Sequence, residues 1–382
     1  MLHGFSLWGL VQSLVQMIIY AGIIQGFFLA IILTTKKNKK RKSNRILAVL
    51  LIVISVSILH SVIASGSLST PYRIREPLIL LIGPLLLFYI REFTGTKSKT
   101  AKNILHFIPF ILFFIIILPE WVQGESSVYS KFLQQNSVVI SIITWALIVV
   151  QYAYYWFRSL RMIFVHKMAV ESEFSSIEGK TLSWLGKFLH IFGILLILFA
   201  GTVIFAIHSS HYSAVDSIVS LGLSCALFIL GYEGLFQEEI FSNIYKSRTD
   251  KEVKSKEFLK SGEISNQEKI LSQKLIAFVE EKKPYLDEEL TLTKLAEQLG
   301  MNRNQLSSVI NNQFGCNFYT FINKYRVEEV KQLLTEPKNK AFTILSLAYQ
   351  AGFPSKSSFQ DIFKKLTGMT PTEYQIKSNQ KI

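Results

Sequence analysis

"AYQAGFPSKSSFQDIFKKLTGMTPTEYQ", Ala348 to Gln375, decides how the C-terminal part of the chain folds. It reads as a basic, soluble helical unit, with Phe359, Ile362 and Phe363 recurring at the spacing of one buried helix face. Thr370, Pro371 and Glu373 then stand as N-cap, first residue and third residue of a new helix, a dense start signal. The stretch also has an upstream echo. "FTILSLAYQAG", which leads into it, resembles "LTLTKLAEQLG" at 290–300, where Leu292, Leu295, Ala296 and Leu299 share a face and Gly300 ends the helix. "MNRNQLSSVINNQFG" follows, with Asn302 as N-cap and Gln305 three residues on.

Two short helices joined by a tight glycine-containing turn make a helix-turn-helix, and the pattern occurs twice. Between the copies, "NFYTFINKYRVEEVKQLL" is one amphipathic helix with Phe318, Phe321, Ile322, Tyr325, Val330 and Leu333 for packing, ended by Pro337. Ser265 and Glu268 form a capping-box pattern that opens a further helix through Glu281. Seven helices are therefore expected in an all-α region at 264–382, preceded by a mixed-charge linker at 237–263.

The rest of the chain is of another kind. Of its 382 residues 49% are hydrophobic and 18% charged, yet the net charge is +14, a balance that favours contact with lipid and with anionic surfaces. Seven apolar stretches precede residue 236, near Leu7–Leu33, Ile46–Ala64, Leu78–Phe93, Ile104–Leu118, Ser137–Phe157, Phe188–His208 and Ala214–Phe236. The first is too long for a signal peptide and lacks a basic leader, so it is expected to remain as a span. Loops rich in Lys and Arg alternate with poor ones: "KKNKKRKSNR" after the first stretch, Arg73 and Arg75 after the second, Lys97, Lys99 and Lys102 after the third, Lys131 after the fourth. The fifth loop carries Arg158, Arg161, Lys167, Lys180 and Lys187, and the sixth has none. The alternation places the N-terminus outside and the C-terminus in the cytoplasm. The expected architecture is a seven-helix transmembrane bundle at 1–236, sensing a signal or oligomerising, plus a cytoplasmic all-helical domain.

"LAEQLGMNRNQLSSVINNQFG", the middle helix and "AYQAGFPSKSSFQDIFKKLTGMTPTEY" together resemble the DNA-binding domain of AraC/XylS-type transcription regulators, over about residues 270–376. The most specific part is Ala348, Gly352-Phe353, Ser355, Phe359, Phe363-Lys364-Lys365, Gly368, Thr370-Pro371 and Tyr374. The resemblance implies two recognition helices in successive major grooves of double-stranded DNA, held apart by the middle helix. As a helix, Phe318–Leu334 would be about 25 Å long at 1.5 Å per residue, suited to spanning toward the groove repeat of ~34 Å.

Outward positions on the first recognition helix are Arg303, Asn304, Ser307, Ser308 and Asn311, and on the second Lys356, Ser357 and Gln360. Asn and Gln pair bidentately with adenine and Ser is permissive, whereas Lys364 and Lys365 suit phosphate, which positions without specifying. Asp361 departs from the arginine common in the family and opposes a phosphate. From Gln273 to Ile382 there are 15 basic and 11 acidic residues, a modest excess that points to two copies, a homodimer, on paired half-sites.

His60, Glu233, His208 and His211 are the ionisable groups in or near the apolar stretches, weak candidates for signal sensing against the blander role of facing headgroups or neighbouring helices. Cys225 and Cys316 lack metal-ligand spacing. No catalytic constellation, metal site or cofactor motif stands out, so the expectation is a bacterial inner-membrane regulator and not an enzyme. The other readings are a transporter or receptor whose C-terminal domain is regulatory, or a helical domain that docks a protein.

Overall fold

The computed structural model describes residues 7–35, 41–65, 75–95, 103–123, 131–132, 135–178, 180–190, 193, 212–236, 263–339 and 341–379. It is all-helical among these residues, with one isolated antiparallel bridge, Phe174 to Thr291. The chain divides into two compact units, Met1–Phe164 with Leu182–Tyr245, and Val165–Thr181 with Lys246–Ile382.

In the first unit, α1 (Leu7–Thr35), α2 (Arg41–Ser65) and α3 (Arg75–Phe93) are followed by a 3-10 turn at Leu105–Phe107 and α4 (Ile108–Gln123). Then come α5 (Ser137–Glu171), whose residues from Val165 belong to the second unit, and α6 (Tyr212–Phe236). Helices α1, α2, α3 and α6 pack through Leu47, Leu50, Leu51, Ile54, Ile58, Leu80, Ile90 and Leu227. Small residues let the backbones approach: a methyl on Gly22 would lie 2.6 Å from Cβ of Ser224. The outer faces are apolar as well, with Met17, Ile24, Ile31 and Val150 all exposed.

Among the described residues two helical segments are long and apolar enough to cross a membrane, Leu10–Thr35 and Lys42–Ile63, in place of the expected seven. Leu105–Ile116 and, inside the 25-residue α6, Ser217–Glu233 are further apolar segments. The physical reasons differ by stretch. The helix at the third places Arg75, Glu76, Arg91 and Glu92 within its 19 residues, and the fourth begins in a 3-10 turn. Most of the sixth, Phe188–His208, lies outside the described residues.

The second unit contains α7 (Glu263–Lys282), α8 (Leu292–Leu299), α9 (Arg303–Phe314), α10 (Phe318–Thr335), α11 (Ile344–Gln350), α12 (Lys356–Thr367) and α13 (Pro371–Asn379). Its punctuation is largely the expected one. Thr291, Asn302, Asn317, Thr343 and Ser355 cap α8 to α12, each side chain accepting a backbone N–H of the first turn. Asn302 and Gln305 complete a capping box, as do Thr370 and Glu373. Helix α7 starts at Glu263, two residues before the expected cap at Ser265.

Two cores result. Leu275, Val279, Leu292, Leu295, Leu306, Val309, Ile310, Phe318 and Phe321 make one, around the first helix-turn-helix. Val327, Val330, Leu347, Ala348, Phe353, Phe359, Ile362 and Phe363 make the other, around the second. Helix α10 contributes to both cores, Phe318 and Phe321 to one and Val327 and Val330 to the other, and so links the two helix-turn-helix halves.

Candidate nucleic-acid interface

Helices α9 and α12 have the same length and the same register. Each has 12 residues, a polar N-cap (Asn302, Ser355) and a left-handed glycine C-cap (Gly315, Gly368). Their buried triplets coincide: Leu306, Val309 and Ile310 match Phe359, Ile362 and Phe363. With the inward faces superposed, the outward positions pair as Arg303 with Lys356, Asn304 with Ser357, Ser307 with Gln360, Ser308 with Asp361 and Asn311 with Lys364. The base-reading candidates therefore occupy one register on two helices. Asn304 and Asn311 are exposed, Arg303, Ser307 and Ser308 half-buried, and Lys356, Ser357, Gln360, Asp361, Lys364 and Lys365 exposed. Phe353, Phe359 and Phe363 are core, each touching another of the aromatic rings, so base stacking by them is excluded.

Several of these polar groups meet carboxylates. Arg303 holds Glu173 through Nη2 at 2.6 Å and Nε at 2.7 Å, and the other Glu173 oxygen accepts from Thr293 Oγ1 at 2.6 Å. Glu178 accepts from Ser357 Oγ at 3.1 Å and also from the capping hydroxyl of Ser355. Glu171 accepts from Asn317, the cap of α10, at 3.0 Å. Glu268 accepts from Ser308 at 2.8 Å and Asn312 at 3.1 Å.

Three of those four carboxylates come from residues 171–178, a stretch that sequence reasoning treated as part of a basic loop. Its anchor is Arg326, which is fully buried. The guanidinium donates to the carbonyls of Tyr285 (2.8 Å), Asp287 (2.7 Å) and Ser175 (3.1 Å) and to Oγ of Ser175 (3.1 Å). Asn323, also buried, donates to the Ser175 carbonyl at 3.0 Å. Two backbone bonds, Ser175 N–H to Leu290 O (3.1 Å) and Leu292 N–H to Glu173 O (2.8 Å), close the bridge on either side of Phe174. Burial pulls the Arg326 pKa down to about 10, against the nearby Asp287 carboxylate, so the group stays cationic at neutral pH. Nearby, Glu329 accepts from Lys283 Nζ (2.8 Å) and Tyr285 Oη (2.9 Å); burial, and then that bond, raise the Tyr285 pKa.

The signal for Glu171, Glu173 and Glu178 was present in the letters "ESEFSSIEGK". Orientation is read from Lys and Arg and acidic residues contribute little to it, so these glutamates do not stand out in the loop. The sensing candidates are not brought together by the described residues. His60 lies half-buried in α2 and Glu233 half-buried in α6, while His208 and His211 lie outside the described residues.

This geometry defines a tandem helix-turn-helix domain, and residues 295–377 match the family model described as a helix-turn-helix domain. Over 91 residues the chain is 35% identical to an uncharacterised HTH-type transcriptional regulator of Staphylococcus aureus (strain COL), covering 24% of this chain and 12% of that protein. It is 32% identical over 89 residues to the uncharacterised HTH-type transcriptional regulator YtdP of Bacillus subtilis (strain 168), covering 23% of this chain and 11% of that one. The chain thus spans about an eighth of the length of the curated relatives it matches. No solved structure matches. Residues 295–377 thus carry a helix-turn-helix domain, similar over this part alone to proteins named as HTH-type transcriptional regulators.

Proposed function

We propose that the chain is a membrane-bound, sequence-specific transcription regulator of the bacterial inner membrane. Residues 1–236 form its seven-span sensor or oligomerisation domain, 237–263 a linker, and 264–382 the cytoplasmic domain that binds promoter DNA, with the N-terminus outside. A signal at the spans, a ligand or membrane partner of unknown identity, shifts the equilibrium between two states of the protein by its differential affinity for them. A homodimer places two such domains on paired half-sites. The reading is supported above all by the shared register of α9 and α12, which sets polar and basic side chains in equivalent outward positions on two helices joined by α10. Asn304 and Gln360 suit base edges, and Lys364 and Lys365 suit phosphates.

Genomic footprinting of the full-length protein tests this. The expected result is a set of sequence-selective sites that vanish when Asn304, Ser308, Lys356 and Gln360 are changed to Ala. Absence of selective sites across growth conditions would overturn it.

A further inference from the structure

Residues 171–178 precede the DNA-binding domain by about ninety positions, yet they are built into it. The docking is not a surface contact. Ser175 is 1% exposed, Asn323 1% and Arg326 0%, and the Ser175 carbonyl takes hydrogen bonds from both of those side chains. Around that anchor the segment delivers carboxylates to the N-terminal ends of both recognition helices, Glu173 to Arg303 on α9 and Glu178 to Ser355 and Ser357 on α12. A helix N-terminus is where backbone N–H groups and the macrodipole favour negative charge. DNA phosphates and base acceptors seek the same groups, so segment and DNA compete for one set of donors.

We propose that residues 171–178 are an intramolecular ligand of the DNA-binding domain, an acidic clamp whose docked state holds Arg303, Ser355 and Ser357 away from DNA. The inference rests on the DNA-binding reading above. The clamp follows directly on α5, which ends at Glu171, its first residue. The two-site attachment has a direct consequence. Undocking frees both recognition helices together, because one stretch of chain spans both.

The test locks the clamp. Phe174 and Thr291 face each other as a non-hydrogen-bonded antiparallel pair, flanked by the Ser175–Leu290 and Glu173–Leu292 bonds. Such pairs sit about 4.5 Å apart at Cα, within disulfide range. The full-length chain with Phe174→Cys and Thr291→Cys is purified in nanodiscs, with Cys225 and Cys316 changed to Ser. Binding to a randomised 30-base-pair duplex pool, selected against the reduced form, is compared before and after oxidation. Oxidation is expected to weaken binding tenfold or more and reduction to restore it. In the wild-type background, Glu173→Gln with Glu178→Gln is expected to tighten binding about tenfold, roughly the loss of one charge-assisted hydrogen bond on the competing side. Equal affinity of the oxidised and reduced forms overturns the clamp alone. Failure of every form, including the Gln variant, to select DNA overturns the DNA-binding reading, and the clamp with it.

Discussion

The two helix-turn-helix units share a register but are supported differently. In the first, the turn between α8 and α9 runs through Gly300 at φ 65°, and a methyl group added there would meet nothing within 4 Å. In the second, Gly352 between α11 and α12 has φ 87°, and a methyl there would lie 2.4 Å from the Tyr285 carbonyl and 2.8 Å from that of Leu286. One glycine is wanted only for its left-handed backbone. The other is wanted for that and for close approach to the Tyr285–Leu286 turn, whose carbonyl at 285 also receives Arg326. The second unit therefore leans on the first through a backbone seam, and the first does not lean back in the same way.

Arg326→Met strikes the brace common to both, and the largest effect is expected there. The side chain keeps its apolar stem, but the Tyr285 carbonyl loses its donor and the carbonyls of Asp287 and Ser175 keep only Leu290 N–H and Asn323, at a cost of about 3–5 kcal/mol. All five tryptophans precede residue 185, so tryptophan fluorescence does not report on this domain. Hydrogen exchange of full-length protein, read peptide by peptide, does. Faster exchange is expected in both α9 and α12; acceleration confined to one of them would mean that Arg326 does not join the units.

Gly352→Ala comes next. Left-handed backbone costs a non-glycine residue about 1–2 kcal/mol, and the collision with two carbonyls brings the total to roughly 3 kcal/mol. Gly300→Ala carries the first cost alone, about 1–2 kcal/mol. The same exchange measurement on the two variants sharpens the asymmetry directly. Equal destabilisation would show that the seam at Tyr285 yields freely and that the two turns are equivalent after all.

How much of this was legible follows from what each signal depends on. Caps and stops are local, so Asn302, Gly300, Thr370 and Pro371 announced α8, α9 and α13 within a residue or two. Periodicity located Phe359, Ile362 and Phe363 in a core for the same reason. Gly352 reads as a turn but not as a close contact, since its neighbours are the backbone at Tyr285 and Leu286, far upstream in the chain. Arg326 stood in an amphipathic helix as one more cation, and nothing local says that it is buried. Hydropathy sums ignore where helices start: Arg75 and Glu76 fall inside α3, and the apolar stretch beginning at Ile104 passes through a 3-10 turn.

The smallest expected effect concerns Asp361, and it bears on the equivalence of the outward faces. In the common register Asp361 matches Ser308. Ser308 is itself bonded to a carboxylate, Glu268 of α7, at 2.8 Å. Each recognition helix thus carries negative charge at this one position, borrowed from a neighbouring helix in the first unit and part of the helix in the second. A carboxylate there is repelled by phosphate and accepts from a cytosine amino group, so it subtracts general affinity while allowing a base preference. Asp361→Asn removes the repulsion at an exposed site, where a single charge is worth no more than about 1 kcal/mol. Binding should tighten by a few-fold on all duplexes, and discrimination at one base pair should relax. If Glu268→Gln gives the same pair of changes at the other half of the site, the two faces are electrostatic equivalents. If Asp361→Asn tightens binding with no change in selectivity, the acid only repels, and reading at that position belongs to Gln360.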